Sequence, residues 1–175
     1  RLLVAEDHKT NREILAKFLD RWGFKYDFAE NGLEAIQMAS KKNYSMILMD
    51  IQMPVMDGFE ATREIRKMKN PQLKDIPIYA LTASVLLGVQ EKAVTAGMSG
   101  YISKPFDPDE LYAKITSESI RLEYETPVVT RDVLSHEAIT QMSLGDEEFK
   151  EELYRYYSSE FHRLLGDLHS ALEQE

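Results

Sequence analysis

Five short apolar segments, each followed by a segment with helical spacing, constrain the fold of this chain more than any other feature. Each has the length of a buried strand and ends at a polar residue or a turn. The predicted strands are residues 2–5, 25–29, 46–50, 76–82 and 101–103. Because strand and helix alternate over about 120 residues, the pattern predicts an α/β fold, a doubly wound five-stranded parallel sheet with helices on both faces. Right-handed crossovers leave few topologies, and we expect the strand order 2-1-3-4-5.

Helix start signals and apolar spacing define the segments between these strands. Thr10 or Asn11 is expected to cap the first helix. In the second helix, Leu33, Ile36 and Met38 are expected to face inward. Further helices are predicted at about residues 59–68, 85–96 and from 107 onward.

Polar residues follow the predicted strands at the edge of the sheet where their carboxyl ends meet. Glu6 and Asp7 follow the first strand, Asp50 ends the third, Thr82 ends the fourth and Lys104 follows the fifth. The first and third strands are neighbours in the expected order, so three carboxylates would share one crevice and repel one another unless a cation lies among them. Oxygen ligands in an open crevice favour Mg²⁺. A nucleophilic carboxylate, a metal, a lysine and a hydroxyl together form a site that accepts a phosphoryl group as an aspartyl-phosphate.

Four spaced motifs occupy this edge of the predicted sheet. They are Ala5-Glu6-Asp7, Asp50 with Met53-Pro54-Val55-Met56-Asp57-Gly58, Leu81-Thr82-Ala83, and Tyr101-Ile102-Ser103-Lys104-Pro105-Phe106. In this order they make residues 1–120 resemble a receiver domain of two-component signalling. The resemblance implies a flavodoxin-like fold and a phosphorelay function, in which Asp50 accepts a phosphoryl group from the phosphohistidine of a histidine kinase or phosphotransfer domain. It also implies that the receiver catalyses its own phosphorylation and dephosphorylation and then switches conformation.

The resemblance assigns metal-binding roles to four residues. Asp7 and Asp50 would bind Mg²⁺ directly, together with the backbone carbonyl of Gln52. Glu6 would act through a water molecule. Many members of the family carry a second Asp at the position of Glu6, and the longer side chain keeps the charge.

The resemblance also implies a catalytic and switching apparatus. Thr82 and Lys104 would hold the phosphoryl oxygens. Tyr101 would be the aromatic residue that moves inward when Thr82 is drawn toward the phosphate.

Two other functions fit part of the pattern. A Mg²⁺-dependent phosphatase of related architecture would also use an Asp nucleophile, but such enzymes usually carry a second Asp two residues later, where this chain has Gln52. An inert pseudo-receiver that serves only for docking is the second alternative. The intact Asp50, Thr82 and Lys104 argue against it.

Residues 5–15 and 58–66 resemble, more narrowly, the receivers that are fused to hybrid sensor histidine kinases. The chain begins with Arg1 rather than Met, as expected for a domain cut from such a protein. A cytoplasmic location is expected, and the parent chain would be free to carry a membrane anchor elsewhere.

Composition excludes several classes of function. The net charge is −9, of which roughly −1 falls in residues 1–120 and roughly −8 in residues 121–175. Neither part carries the basic stripe that nucleic-acid binding requires. The sequence has no apolar run long enough to span a membrane, and it contains no cysteine for disulfides or thiolate metal sites.

The acidic C-terminal part is expected to be an attachment to the first domain. Residues 121–131 are predicted to be a linker, and residues 132–175 an acidic amphipathic helical extension that is cut short. Its apolar stripe must pack on the receiver, on a second copy or on missing residues. The residues of this stripe are Phe149, Leu153, Tyr156, Tyr157, Phe161, Leu164, Leu165, Leu168 and Leu172. The segment 144–172 resembles the opening helices of a histidine phosphotransfer domain, but it lacks that family's phospho-accepting histidine motif. A dimerisation or linker helix is the open alternative.

Overall fold

The computed structural model describes residues 1–83, 87–116, 139–140, 143 and 146–172, excepting the side chains of residues 87–88, 160, 163–165 and 167–172. The chain divides into two compact units, Arg1–Leu122 and Glu123–Glu175. The predicted linker at residues 121–131 lies outside the described residues.

The first unit is built on a five-stranded parallel sheet with the predicted order, β2-β1-β3-β4-β5. Its strands are β1 (Leu2–Ala5), β2 (Tyr26–Ala29), β3 (Met46–Asp50), β4 (Ile78–Thr82) and β5 (Gly100–Ser103). Strands β1, β3 and β4 are buried along their whole length, and the edge strands β2 and β5 are only partly buried. Helices covering both faces of a parallel sheet bury its central strands completely, which explains their unbroken apolar sequences.

The described part of the first unit contains six helices. They are α1 (Lys9–Arg21), α2 (Gly32–Lys41), α3 (Gly58–Lys67), α4 (Pro71–Asp75), α5 (Leu87–Ala96) and α6 (Pro108–Thr116). The short helix α4 was not predicted. Asn70 caps it by accepting a hydrogen bond from the Gln72 amide at 3.0 Å, and Pro71 occupies its first turn, where no amide donor is needed.

The predicted cap of α1 is wrong. His8 occupies the N-cap position and makes no capping hydrogen bond through its side chain. Asn11 lies inside the helix, is buried, and donates its side-chain amide to Glu6 Oε1 at 2.8 Å. The Asn11 amide is therefore used by a buried carboxylate rather than by the end of the helix.

The predicted inner face of α2 is partly wrong. Leu33 is 42% exposed, whereas Gly32, Ala35 and Ala39 are buried. A Cβ at position 32 would lie 2.7 Å from the carbonyl oxygen of Met56, so the helix approaches the chain there through a residue without a side chain. The small residues therefore set the buried face and turn Leu33 outward.

The loop between β3 and α3 contains a backbone conformation that is unfavourable for its residue. Val55 has φ 69°, in the left-handed region, and is 80% exposed. A β-branched residue rarely adopts this conformation, because its Cβ crowds the following carbonyl oxygen. Asp57 then caps α3 by accepting a hydrogen bond from the Glu60 amide at 2.7 Å.

The second unit contains the long helix α7 (Glu147–Leu172). Asp146 precedes it and accepts a hydrogen bond from the Phe149 amide at 2.9 Å, as expected for a capping residue. Phe149, Leu153, Tyr156 and Tyr157 are buried, and the helix continues through Gly166.

Phe161 departs from the predicted apolar stripe of the second unit, because it is 49% exposed. Among the side chains of the stripe that the structure describes, Tyr157 is therefore the last buried one. Within the described residues, no helix is both long enough and apolar enough to cross a membrane.

Candidate functional site

A buried lysine lies between two buried carboxylates at the carboxyl edge of the sheet. Lys104 Nζ is 2.6 Å from Glu6 Oε2 and 2.7 Å from Asp50 Oδ2. The three side chains are 0–6% exposed. Glu6 follows β1, Asp50 ends β3 and Lys104 follows β5, so the parallel topology brings residues from distant parts of the sequence to one point. The cation that the sequence pattern required among the carboxylates is here supplied in part by Lys104.

Both oxygens of the Glu6 carboxylate have polar neighbours. Its Oε1 accepts hydrogen bonds from the Asn11 side-chain amide at 2.8 Å and from the His8 backbone amide at 3.2 Å. Oε2 is fully buried and forms an ion pair with Lys104 Nζ at 2.6 Å. A carboxylate oxygen has two lone pairs, so Oε2 can also accept a hydrogen bond from a further donor, such as a metal-bound water.

Burial and a like charge perturb Asp50. Its Oδ1 accepts a hydrogen bond from the Gln52 backbone amide at 3.1 Å, while Oδ2 faces Lys104. Burial, and next the negative charge of Glu6, raise the pKa of Asp50 to about 6, although Lys104 and the Gln52 amide act in the opposite direction. Asp50 is therefore ionised at neutral pH, at a cost in stability.

Asp7 occupies the more open side of the site. Its carboxylate is 22% exposed, and its Oδ1 lies 3.1 Å from His8 Nδ1. Glu6, Asp7 and His8 each offer one ligand atom, and these atoms lie within 4.8 Å of one another. His8 was not among the predicted ligands, and Asp50, which was, pairs with Lys104 in this structure.

Thr82 and Tyr101 lie on the two strands that lead to Lys104. Thr82 is buried at the end of β4, and its carbonyl accepts a hydrogen bond from the Lys104 amide at 2.7 Å. The Lys104-Pro105 peptide bond is cis. Tyr101 is half-buried in β5, and its hydroxyl lies 3.4 Å from Gln90 Nε2 on α5. The structure thus brings Glu6, Asp50 and Lys104 into contact and places the Thr82 backbone next to Lys104, while the Tyr101 hydroxyl contacts α5.

Gly58 is required by the backbone beneath the site. A Cβ at this position would lie 2.1 Å from the carbonyl oxygen of Asp50. The Gly58 amide donates a hydrogen bond to the Ile51 carbonyl at 3.0 Å. The loop after β3 therefore folds back against the strand end, which is possible only without a side chain at position 58. This role was not predicted, although the Asp57-Gly58 turn signal marks the place.

The donor set fits Mg²⁺. The charged candidate ligands are carboxylate oxygens, and hard oxygen donors that leave room for water molecules are what this ion prefers. Glu6 Oε2 is paired with Lys104 and keeps a second lone pair that can accept a hydrogen bond from a water of the metal. Asp7 offers a partly exposed carboxylate at the mouth of the site.

Comparison with known proteins identifies the family and its relatives. The response regulator receiver domain family matches residues 2–116. The sensor protein EvgS of Escherichia coli (strain K12) is 31% identical over 172 residues, which is 98% of this chain and 14% of EvgS. The chain thus spans about one seventh of the length of that relative.

Two solved structures are similar to about two thirds of this chain. The receiver domain of sensor histidine kinase PA1611 from Pseudomonas aeruginosa PAO1 is 38% identical, with a TM-score of 0.61 over 65% of this chain and 92% of that one. That structure has a magnesium ion coordinated in its active site cleft. The other is a co-crystal structure of the Saccharomyces cerevisiae histidine phosphotransfer protein Ypd1 with the receiver domain of its downstream response regulator Ssk1. The match is 32% identical, with a TM-score of 0.60 over 66% of this chain and 85% of that one.

Proposed function

Because this chain belongs to the response regulator receiver domain family and is a receiver of two-component phosphorelay signalling, we propose that Asp50 is its phosphoacceptor. The observation that carries this assignment is the buried contact of Asp50 with Lys104 at 2.7 Å, at the carboxyl end of β3. It joins a carboxylate nucleophile to a cation suited to phosphoryl oxygens.

The transfer replaces one bond to phosphorus with another. An ionised oxygen of Asp50 attacks the phosphorus of a phosphohistidine, the new P–O bond forms, and the P–N bond breaks as the imidazole leaves. The attacking carboxylate must be deprotonated, and a pKa of about 6 makes that form predominant at pH 7 and above. Lys104 already faces this oxygen, so it is placed to neutralise negative charge that the phosphoryl group brings.

We propose that Asp7 and Asp50, with the backbone carbonyl of Gln52, hold Mg²⁺ directly and that Glu6 acts through a water molecule. The bound ion would supply positive charge that stabilises the phosphoryl oxygens during transfer. The partly exposed Asp7, and the buried Glu6 that is already paired with Lys104, support this division between a direct and an indirect carboxylate.

We propose that Thr82 and Tyr101 form the switch. A phosphoryl group on Asp50 would give the Thr82 hydroxyl a new acceptor and shift a pre-existing equilibrium between two conformations. The contact between Tyr101 and Gln90 supports this proposal, because it links the aromatic side chain to α5 and gives the shift a path to the surface.

The phosphodonor would be a histidine kinase or a histidine phosphotransfer domain, and the parent chain a hybrid sensor histidine kinase. The match to EvgS over nearly the whole chain supports this origin. A cytoplasmic location follows from it as part of the proposal. The exposed Phe161 on α7 is the feature that supports self-association through the second unit.

The experiment is labelling with acetyl phosphate, measured as a mass increase of the intact protein with and without Mg²⁺. We expect one phosphoryl group on the wild type only with Mg²⁺, and none on Asp50→Asn. The label should be lost in base, as an acyl phosphate is, whereas phosphohistidine survives base. An Asp50→Asn variant that is labelled like the wild type would show that another residue is the acceptor.

A further inference from the structure

Arg12 connects the acidic segment after β1 to the turn after β2. Its Nη1 donates hydrogen bonds to the carbonyl oxygens of Glu6 at 2.9 Å and of Asp7 at 2.6 Å. Its Nη2 lies 2.9 Å from Glu30 Oε1, in the turn after β2. The Arg12 side chain is only 16% exposed, whereas Glu30 is 64% exposed. The guanidinium group is therefore anchored mainly on the backbone of the acidic segment.

Hydrogen bonds to backbone carbonyls fix the path of the chain. They do not neutralise the charge of a side chain. A guanidinium group is planar and presents its donors in a rigid fork. One nitrogen of that fork, Nη1, carries two hydrogens in fixed directions, so its bonds to two consecutive carbonyls restrict the orientation of both peptide units. The carboxylate of Asp7 is attached to one of these units, and that of Glu6 to the other. Asn11 and the His8 amide orient the Glu6 side chain separately, but the described contacts of the Asp7 side chain are only with the exposed His8 ring.

We propose that Arg12 is a positioning residue of the cation site, which holds the Glu6–Asp7 backbone in the conformation that binds Mg²⁺. The inference rests on the proposed function, because it takes Asp7 as a ligand of the ion. Arg12 does not touch the metal or the phosphoryl group; it acts through the two carbonyls that it holds.

The electrostatic and the positioning effects of Arg12 have opposite signs. The guanidinium group is always charged, and a positive charge on the segment that carries the metal-binding carboxylates weakens cation binding. If charge alone mattered, removing Arg12 would tighten Mg²⁺ binding. If Arg12 positions the segment, its removal weakens binding, because a ligand that must first be ordered binds the ion less tightly.

Three variants separate these effects. Arg12→Met removes both the charge and the fork, while Arg12→Lys keeps the charge but replaces the fork with a single ammonium group. Glu30→Gln is the matched control, because it weakens the outer ion pair and leaves both carbonyl contacts of Arg12 in place. Mg²⁺ is titrated into each protein, and the dissociation constant is read from backbone amide chemical shifts of the sheet edge.

We expect Arg12→Met and Arg12→Lys to raise the Mg²⁺ dissociation constant by about tenfold or more, the range found for residues that orient metal ligands. Glu30→Gln should change it by less than about fivefold, as for an exposed ion pair. At saturating Mg²⁺, both Arg12 variants should regain most of the wild-type rate of labelling by acetyl phosphate, because the reacting groups are intact.

The outcomes distinguish this inference from the proposed function. Tighter or unchanged Mg²⁺ binding in Arg12→Lys would overturn the positioning role, and so would a labelling rate that stays low at saturating Mg²⁺. Chemical shifts of β1, β3 and β4 report whether each variant is folded; if Arg12→Met is not, the conservative Arg12→Lys decides the question alone. A wild-type protein that fails to bind Mg²⁺ would instead refute the metal site itself.

Discussion

The ionisation of Asp50 opposes folding, and an Asp50→Asn variant isolates this effect. The pKa of Asp50 is raised from 3.8 to about 6, first by burial and next by the charge of Glu6, and Lys104 offsets them only in part. An increase of about two pKa units corresponds to roughly 3 kcal/mol when the group is ionised. Asn has nearly the same shape without the charge, so we expect Asp50→Asn to be more stable than the wild type by about 3 kcal/mol at pH 7.5.

The difference between the two proteins should depend on pH. Because the pKa of Asp50 is higher in the folded state, the stability that its protonated form contributes is fully present below pH 3.8 and lost as the pH rises through about 6. Asn has no proton to lose in this range. The advantage of Asp50→Asn should therefore shrink from about 3 kcal/mol at pH 7.5 toward zero near pH 4.

Urea unfolding without Mg²⁺, followed by the fluorescence of Trp22, measures this difference. Trp22 is the only tryptophan of the chain and stacks on Phe18 in the first unit, so its emission reports the unfolding of that unit. The free energy of unfolding is compared for both proteins at several pH values from 4 to 7.5. Equal stabilities at pH 7.5, or a difference that does not vary with pH, would refute the reasoning.

Asp27→Asn is the control with the opposite sign. Burial acts to raise the pKa of Asp27, but hydrogen bonds from Arg1, Tyr44 and Lys42 outweigh it and leave the pKa lowered. Stability from a lowered pKa is present above the unfolded value and is lost as the pH falls through the folded one. Asp27→Asn should therefore be less stable than the wild type, by an amount that is nearly constant between pH 5 and 7.5.

Three further predictions test other parts of the structure. Gly58→Ala should destabilise the first unit by about 1–3 kcal/mol or more in urea unfolding, because the new Cβ would lie 2.1 Å from the Asp50 carbonyl oxygen. Gly166→Ala is the control and should not destabilise the second unit, because a Cβ built at position 166 would meet no other described part of the chain within 4 Å. Val55→Asn should raise the free energy of unfolding by about 1 kcal/mol, since Asn tolerates positive φ better; no gain would mean that position 55 carries no strain. If the second unit self-associates through its exposed aromatic residue, Phe161→Asp should lower the molar mass measured by light scattering, and a wild type that is monomeric at high concentration would exclude that surface.

The order of the sheet and the location of the site could be predicted from the sequence. The unbroken apolar runs in β1, β3 and β4 report strands buried on both faces, and right-handed crossovers leave few ways to arrange them. Once the strands are parallel, residues at their carboxyl ends must share one edge. Glu6, Asp50 and Lys104 are therefore expected to be neighbours without knowledge of any distance.

The partners of individual side chains were decided only by the tertiary structure. Spacing along a helix indicates which face is buried, but the close approach of the Met56 backbone to Gly32 determined that Leu33 turns outward. Asn11 and Arg12 both have ordinary positions in the first turns of α1, and only the packed loops show that one holds a carboxylate and the other two carbonyls.

The charge balance of the site depends most strongly on the packed structure. The sequence predicted crowded carboxylates that need a cation, but it did not predict that Lys104 would lie between Glu6 and Asp50 and leave Asp7 outside the pair. The physical reason is that a sequence pattern locates the backbone to within a strand end, whereas a charge pair depends on where long side chains come to lie within about 1 Å. The sequence by itself thus determined which groups meet at this edge, and the packed structure determined which of them neutralise one another.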